Sequence, residues 1–132
     1  KVSDEDLAGL DGSMSIEAHV KSLLARPNVE LVVVTMGEEG SRAFTASAEA
    51  KAPIHRLAVF GDTVGAGDSL MAGVLSALAD RDGLAVGRLG ALDGEALGEV
   101  LAFGAVTAGL NCGFVGCHPP SRAEVEAVLK SA

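Results

Sequence analysis

Apolar residues recur at helical spacing in four stretches of the chain, and each stretch predicts a helix. The predicted helices run from Ile16 to a stop before Pro27, from Gly67 to Ala79, from Glu95 to Leu110, and onward from Ser121, which caps the last one. A shorter helix is predicted to begin at Ser3, because Asp6 lies at the three-residue spacing of a capping box.

Three other stretches have the composition of strands. Residues 31–34 form an unbroken apolar run, the pattern of a strand that is buried on both faces in a parallel sheet. Residues 41–46 and 56–60 are predicted as two further strands, the first after the turn that Gly40 closes and the second after the Pro53 loop. This succession of helices and strands indicates an α/β layered domain.

Composition limits the classes of function. The chain has 132 residues, of which 48% are hydrophobic, enough for the core of one compact domain. A formal charge of −8 would repel nucleic acid, and no basic run offsets it. No apolar stretch reaches the roughly 20 residues of a membrane span, and the polar first residues are unlike a signal peptide. We therefore expect a cytoplasmic protein with neither nucleic acid nor membrane as a partner.

Cysteine and histidine are sparse. Cys112 and Cys117 lack the two further ligands that a metal site would need, so we expect reduced structural thiols. His19, His55 and His118 are scattered, and each is interpreted as a surface or loop residue rather than as a catalytic group.

The candidate chemistry lies in residues 62–68, where the last predicted strand gives way to the long helix. Gly65 and Gly67 can adopt backbone angles that other residues avoid, and without side chains they let a phosphate approach the main-chain N–H groups. These N–H groups belong to the first helical turn, where unpaired donors and the helix dipole favour an anion. The segment is therefore a candidate anion hole.

Asp68 follows in the same turn, where the positive end of the helix favours a carboxylate that can accept a proton. Phosphoryl transfer uses such a pairing, because donors must stabilise the transferred group while a carboxylate aligns the attacking hydroxyl. The residues alone leave a second interpretation open, since an Asp near a helix start is often a cap and Gly-x-Gly before a helix is a common turn.

The run Asp-Thr-x-Gly-Ala-Gly-Asp at residues 62–68 closely resembles the C-terminal signature of the ribokinase-like carbohydrate kinases of the PfkB type. The resemblance implies an ATP-dependent kinase that uses Mg²⁺ and phosphorylates a sugar or sugar-like hydroxyl. It implies a role for six residues: Asp68 as the catalytic base, the backbone of Gly65, Ala66 and Gly67 as the anion hole, and Asp62 with the Val64 carbonyl near a site for a monovalent cation such as K⁺.

Two further segments fit the same resemblance. The turn that contains Thr35, Gly37 and Gly40 is similar to the family's turn beside the nucleotide phosphates, and plain hairpin geometry is the other interpretation. Ser3 and Asp6 stand where many relatives carry an Asn-x-x-Glu pair that helps to organise phosphate and magnesium. Helix capping explains these two residues at least as well.

The end of the chain carries the last part of the resemblance. Ala105, Ala108 and Asn111 lie where relatives line the adenine pocket, and small residues on a helix face suit a flat base. Close helix packing explains them equally well. Residues 116–125 are more similar to the bacterial fructokinases than to the adenosine kinases.

The resemblance implies a three-layer, ribokinase-like α/β fold, with a parallel-rich sheet flanked by helices. Residues 1–132 are expected to be the C-terminal, ATP-binding and catalytic half of such a domain, a fragment inactive on its own. The full-length protein is expected to be a homodimer. The alternative is that the fragment serves only as a nucleotide-binding module.

Overall fold

The computed structural model describes residues 1–131. In chain order its elements are β1 (Val2–Ser3), α1 (Asp4–Leu10), α2 (Ile16–Leu24), β2 (Val32–Thr35), β3 (Ser41–Phe44), β4 (Glu49–Ala52), α3 (Ala66–Ala79), α4 (Gly94–Asn111) and α5 (Arg122–Ser131). Each helix that the sequence predicts is confirmed, with small shifts at the ends. Within residues 1–131, none of these helices combines the length and the apolar character that crossing a bilayer would take.

Side chains cap the starts of most helices. In α1, Ser3 Oγ accepts a hydrogen bond from the Asp6 N–H at 3.0 Å, and the Asp6 carboxylate accepts one from the Ser3 N–H at 3.1 Å, which confirms the capping box. The caps of α2, α4 and α5 are Ser15, Asp93 and Ser121. Helix α3 differs, because its N-cap is Gly65 and no side chain bonds to its first turn.

The four strands form one mixed sheet in the order β1, β2, β3, β4. β1 pairs with β2 in parallel, which places Ser3 opposite Thr35, and the other two pairs are antiparallel. The predicted buried strand is confirmed as β2. The predicted strand over residues 41–46 is confirmed as β3, which ends earlier, at Phe44.

Helices cover both faces of this sheet, because successive side chains of a strand point to opposite sides. Val33 and Ala43 belong to a large core that they share with α3, α4 and α5. Val32 and Val34 belong to a smaller core that they share with α1 and α2. The result is a three-layer domain with the sheet in the middle.

Helices α3 and α4 approach closely because glycines stand at their contact. A Cβ built at Gly73 would lie 2.5 Å from Thr107 Oγ1 and 2.8 Å from the Cα of Gly104. Added atoms at a contact this tight would force the two helices apart. The packing therefore fixes the middle of α3 against the second half of α4.

The prediction of a strand over residues 56–60 is wrong. These residues lie in the loop between β4 and α3, and the side chains of Val59 and Phe60 are 70% and 67% exposed. The strand that pairs with β3 is instead β4, where alanines that face the helices alternate with exposed charged residues. A loop, and not a strand, therefore leads directly into α3.

The interpretation of His19 as a surface or loop residue is also wrong. His19 lies in α2, its side chain is buried, and its Nε2 donates a hydrogen bond of 3.0 Å to the Asp11 carbonyl oxygen. His55 and His118 do lie in loops.

Candidate functional site

A cavity of about 620 Å³ lies between the sheet, the loop that follows β4, and the facing ends of α3 and α4. This volume is within the range of about 300 to 1,000 Å³ that is usual for cofactor and substrate pockets. Its wall includes Thr35, Gly37, Gly40 and Ser41 from the sheet end, Pro53, His55, Arg56 and Phe60 from the loop, Ala66, Gly67 and Leu70 from α3, and Ala105, Ala108, Gly109 and Cys112 from α4.

The start of α3 opens onto this cavity. Gly65 has a φ of +74°, in the left-handed region that favours glycine, and a Cβ there would lie 2.5 Å from Cys117 Sγ. The Ala66 N–H already donates to the Thr63 carbonyl at 3.1 Å, whereas the N–H groups of Gly67 and Asp68 have no backbone acceptor. Of the predicted anion hole, the part that remains available to a ligand is therefore centred on Gly67.

A positive charge lies beside this helix start. The Lys1 Nζ stands 2.9 Å from the position that a Cβ on Gly67 would occupy. Its charge adds to the positive end of the helix dipole, so both favour an anion at the same place. Nothing in the sequence marks Lys1 as part of this site, because only the fold brings residue 1 to the motif.

Asp68, the predicted base, is exposed in the first turn of α3. It adjoins Gly67 in the chain and lies beside the cavity rather than in its wall. Its carboxylate makes no hydrogen bond within residues 1–131, in contrast to the cap of α1. The interpretation of Asp68 as a helix cap therefore has no support in these contacts.

The loop before α3 is held by Asp62. One oxygen of its carboxylate accepts a hydrogen bond from the Val64 N–H at 2.9 Å, and the other accepts one from the Gly116 N–H at 2.7 Å. The Val64 carbonyl, the other predicted cation ligand, accepts a hydrogen bond from Asn111 Nδ2 at 2.8 Å. These hydrogen bonds tie the loop together, and each oxygen keeps a second lone pair, so the cation site at Asp62 and Val64 stays a prediction.

Asn111 is fully buried and does not reach the cavity. While its Nδ2 holds the Val64 carbonyl, its Oδ1 accepts a hydrogen bond from the His118 N–H at 2.8 Å. The side chain thus joins the loop before α3 to the segment after α4. Of the three residues predicted for an adenine pocket, Ala105 and Ala108 lie in the cavity wall and Asn111 does not.

The glycine turn after β2 also lines the cavity, because its residues Thr35, Gly37 and Gly40 all contribute to the wall. Gly40 has a φ of +89°, and a Cβ there would lie 2.3 Å from the Ala52 carbonyl oxygen. Only glycine therefore allows the turn to lie this close to β4.

The cysteines are free thiols. Burial, and then the nearby Asp62 carboxylate, raise the pKa of the Cys112 thiol, so this wall residue is neutral near pH 7. Within residues 1–131 no group of three or more His, Cys, Asp or Glu side chains could hold a metal ion.

Sequence reasoning missed the loop side of the cavity. His55 and Arg56 lie in its wall, although residues 56–60 were predicted to form a strand. A run of apolar residues after Pro53 is the pattern of a strand, and no local signal shows that this run instead stays unpaired in a loop.

Comparison with known proteins agrees with this geometry. The profile of the pfkB family carbohydrate kinase matches residues 1–124. The probable fructokinase-4 of Arabidopsis thaliana is 35% identical over 134 residues, which cover 98% of this chain and 38% of that protein. The chain therefore spans well under half the length of this relative.

Solved structures share the fold. The ribokinase of Giardia lamblia superposes with a TM-score of 0.80 at 22% identity, over 100% of this chain and 44% of that one. A double mutant of the Vibrio cholerae O395 fructokinase, with fructose, ADP and a potassium ion bound, gives a TM-score of 0.72 at 24% identity, over 96% of this chain and 39% of that one. The predicted ribokinase-like fold is confirmed, and the sheet in residues 1–131 is mixed.

Proposed function

The chain belongs to the pfkB family of carbohydrate kinases, and from this premise we propose that it transfers the terminal phosphate of ATP to a sugar hydroxyl. The observation that carries the proposal is the opening of the uncapped start of α3 onto the cavity. We further propose fructose as the sugar, because a relative covering nearly all of this chain is named as a fructokinase. Residues 1–132 then form the nucleotide-binding and catalytic half of the domain.

Different parts of the cavity wall suit the two halves of ATP. Ala105 and Ala108 present an apolar helix face on which a base can pack. The Gly67 N–H and the Lys1 ammonium lie at the start of α3, where the phosphates would bind. We propose that the γ-phosphate lies at this helix start.

Asp68 is proposed as the general base. Its carboxylate takes the proton of the sugar hydroxyl while that oxygen forms a bond to the γ-phosphorus. The bond between this phosphorus and the oxygen of the departing ADP breaks with its electron pair, so charge and atoms balance. The Gly67 N–H and the Lys1 ammonium stabilise the negative charge of the group in transit.

Mg²⁺ would enter with ATP, since this ion is commonly held by phosphates and water together with one or two carboxylates. Bound in this way, it neutralises charge on the phosphates. Ser3 and Asp6 are each engaged in the capping box, so we assign them no part in magnesium binding. Asp62 and the Val64 carbonyl would hold the monovalent cation that the resemblance implies, and we derive no step through it.

The test is Asp68→Asn in the complete natural protein. We expect kcat for ATP-dependent phosphorylation of fructose to fall by about 10² to 10⁴, because the hydroxyl loses its proton acceptor, while the Kd for ATP changes little. Glu95→Gln is the matched control, since Glu95 is another exposed acid in the first turn of a long helix. Unchanged turnover in Asp68→Asn would remove Asp68 from the mechanism.

A further inference from the structure

Ser41 is the first residue of β3, and only 2% of it is exposed. Among the buried side-chain nitrogen and oxygen atoms of residues 1–131, the Ser41 Oγ is the one without a hydrogen-bond partner. Buried hydroxyls normally find a partner, because an unsatisfied one loses its hydration without compensation. Such an atom calls for a physical explanation.

Two other buried hydroxyls in residues 1–131 are satisfied. Thr107 Oγ1 donates to the Phe103 carbonyl oxygen at 2.7 Å, and Thr45 Oγ1 accepts from the Ala48 N–H at 3.0 Å. The missing partner of Ser41 Oγ therefore contrasts with both buried threonines.

The position of Ser41 on the sheet directs its side chain toward the cavity. Ala43, two residues along the same strand, packs in the core below α3 and α4, so Ser41 points to the same side of the sheet. Its partner across the strands, Ala52, belongs to that core as well. At this end of the sheet the space under the helices is the cavity, and Ser41 is part of its wall.

We propose that the Ser41 hydroxyl binds the nucleoside half of the nucleotide, through a hydrogen bond to an uncharged polar atom of the base or the ribose. The proposal rests on the proposed function, since it takes ATP as the occupant of the cavity. The apolar wall residues Leu70, Ala105 and Ala108 supply no charge for a phosphate. The ammonium of Lys1 and the free N–H groups lie instead at the start of α3. The charged wall residues Glu38 and Arg56 lie in the turn after β2 and in the loop after β4. An uncharged hydroxyl on the side of the sheet that faces the apolar helix residues suits a nucleoside atom better than a phosphate oxygen.

The test compares wild type with Ser41→Ala in the complete protein, by calorimetric titration with ATP and with inorganic tripolyphosphate. We expect the variant to bind ATP about 3-fold to 10-fold more weakly, the usual effect of one hydrogen bond, and to bind tripolyphosphate as wild type does. Titration with 2′-deoxy-ATP shows whether the hydroxyl contacts the ribose 2′-hydroxyl or another atom of the nucleoside. A contact to the 2′-hydroxyl makes the two proteins bind 2′-deoxy-ATP equally, whereas a contact elsewhere on the nucleoside keeps the difference between them.

Thr45→Val is the matched control, because it removes a buried hydroxyl that lies outside the cavity wall. It should leave ATP affinity unchanged. The melting temperature of ligand-free Ser41→Ala should equal or exceed that of wild type, which shows that the variant folds.

Equal ATP affinity in Ser41→Ala and wild type would overturn the inference and leave the proposed function in place. An equal loss of affinity for tripolyphosphate would also overturn it, since the contact would then be to phosphate. Failure of the wild-type protein to bind ATP at all would instead overturn the proposed function.

Discussion

Asn111 should act on nucleotide binding through the stability of a loop rather than by touching the nucleotide. Its amide donates to the Val64 carbonyl and accepts from the His118 N–H, both at 2.8 Å, and it is fully buried. Asn111→Ala removes both hydrogen bonds and leaves a small void. Val64 immediately precedes Gly65, so the change also releases the loop that sets the start of α3.

The size of the effect follows from these contacts. Two hydrogen bonds at about 0.5 to 1.5 kcal/mol each, together with the void, give a loss of about 2 to 3 kcal/mol in the free energy of unfolding. In the complete protein, whose domain is more than twice as long as this chain, such a loss lowers Tm by roughly 4 to 10 °C. The affinity for ATP should fall by about 3-fold to 10-fold, because binding must now also order the loop.

Ala108→Leu provides the contrast in the complete protein. Ala108 lies in the cavity wall on the same helix, so a larger side chain there should weaken ATP binding with little change in Tm. Thermal unfolding and calorimetric titration of both variants would distinguish a loss of loop stability from a direct block of the nucleotide pocket. If Asn111→Ala kept the wild-type Tm and still lost ATP affinity, Asn111 would belong to the nucleotide pocket, and the role of a structural tie would be refuted.

Two further changes test the packing and a local anchor. Gly73→Ala should lower the free energy of unfolding by about 1 to 3 kcal/mol in urea titration, because its Cβ would lie 2.5 Å from Thr107 Oγ1; a variant as stable as wild type would show that α3 and α4 can separate freely. Glu30 accepts hydrogen bonds from the N–H groups of Gly87 and Gly90, and these lower the pKa of its carboxyl. A carboxyl whose pKa is lower in the folded state stabilises the fold above its ordinary value of about 4.3, and this contribution disappears as the pH falls through the lowered folded value. Wild type should therefore exceed Glu30→Gln in urea midpoint at pH 7, and the difference should shrink below pH 4.3; a difference independent of pH would contradict this role for Glu30.

The sequence predicts what local chemistry determines in this fold. Helical stripes and caps depend on residues within one or two turns, so α1 through α5 follow from spacing and from residues such as Ser3 and Ser121. Strand β4 escaped prediction because its residues have low strand propensity, and only pairing with β3 makes them a strand. Residues 56–60 have the opposite character, with high propensity and no partner strand.

In the candidate site, too, some features follow from local sequence and others depend on contacts that are distant in the chain. The glycines that leave N–H groups free at the start of α3 can be recognised from the sequence, because the backbone itself supplies the donors. The placement of Lys1, Ser41 and Asn111 could not be recognised, since each depends on residues more than ten positions away in the chain. Spacing within a motif carries no information about such contacts.

The two acids of the motif show how contacts in the fold can give different roles to residues of the same type. Asp62 and Asp68 are the same residue type, six positions apart, in one signature. Asp62 has both oxygens engaged by N–H groups, so its carboxylate is held in place as part of the loop. Asp68 is exposed and has no such partners within residues 1–131, and it lies beside the start of α3, which no side chain caps. In the proposed reaction the base must reach a hydroxyl next to a bound phosphate, and of these two acids Asp68 is the one whose oxygens have no protein donor. The motif would then combine a structural acid, which shapes the loop, with the proposed base beside the phosphate site.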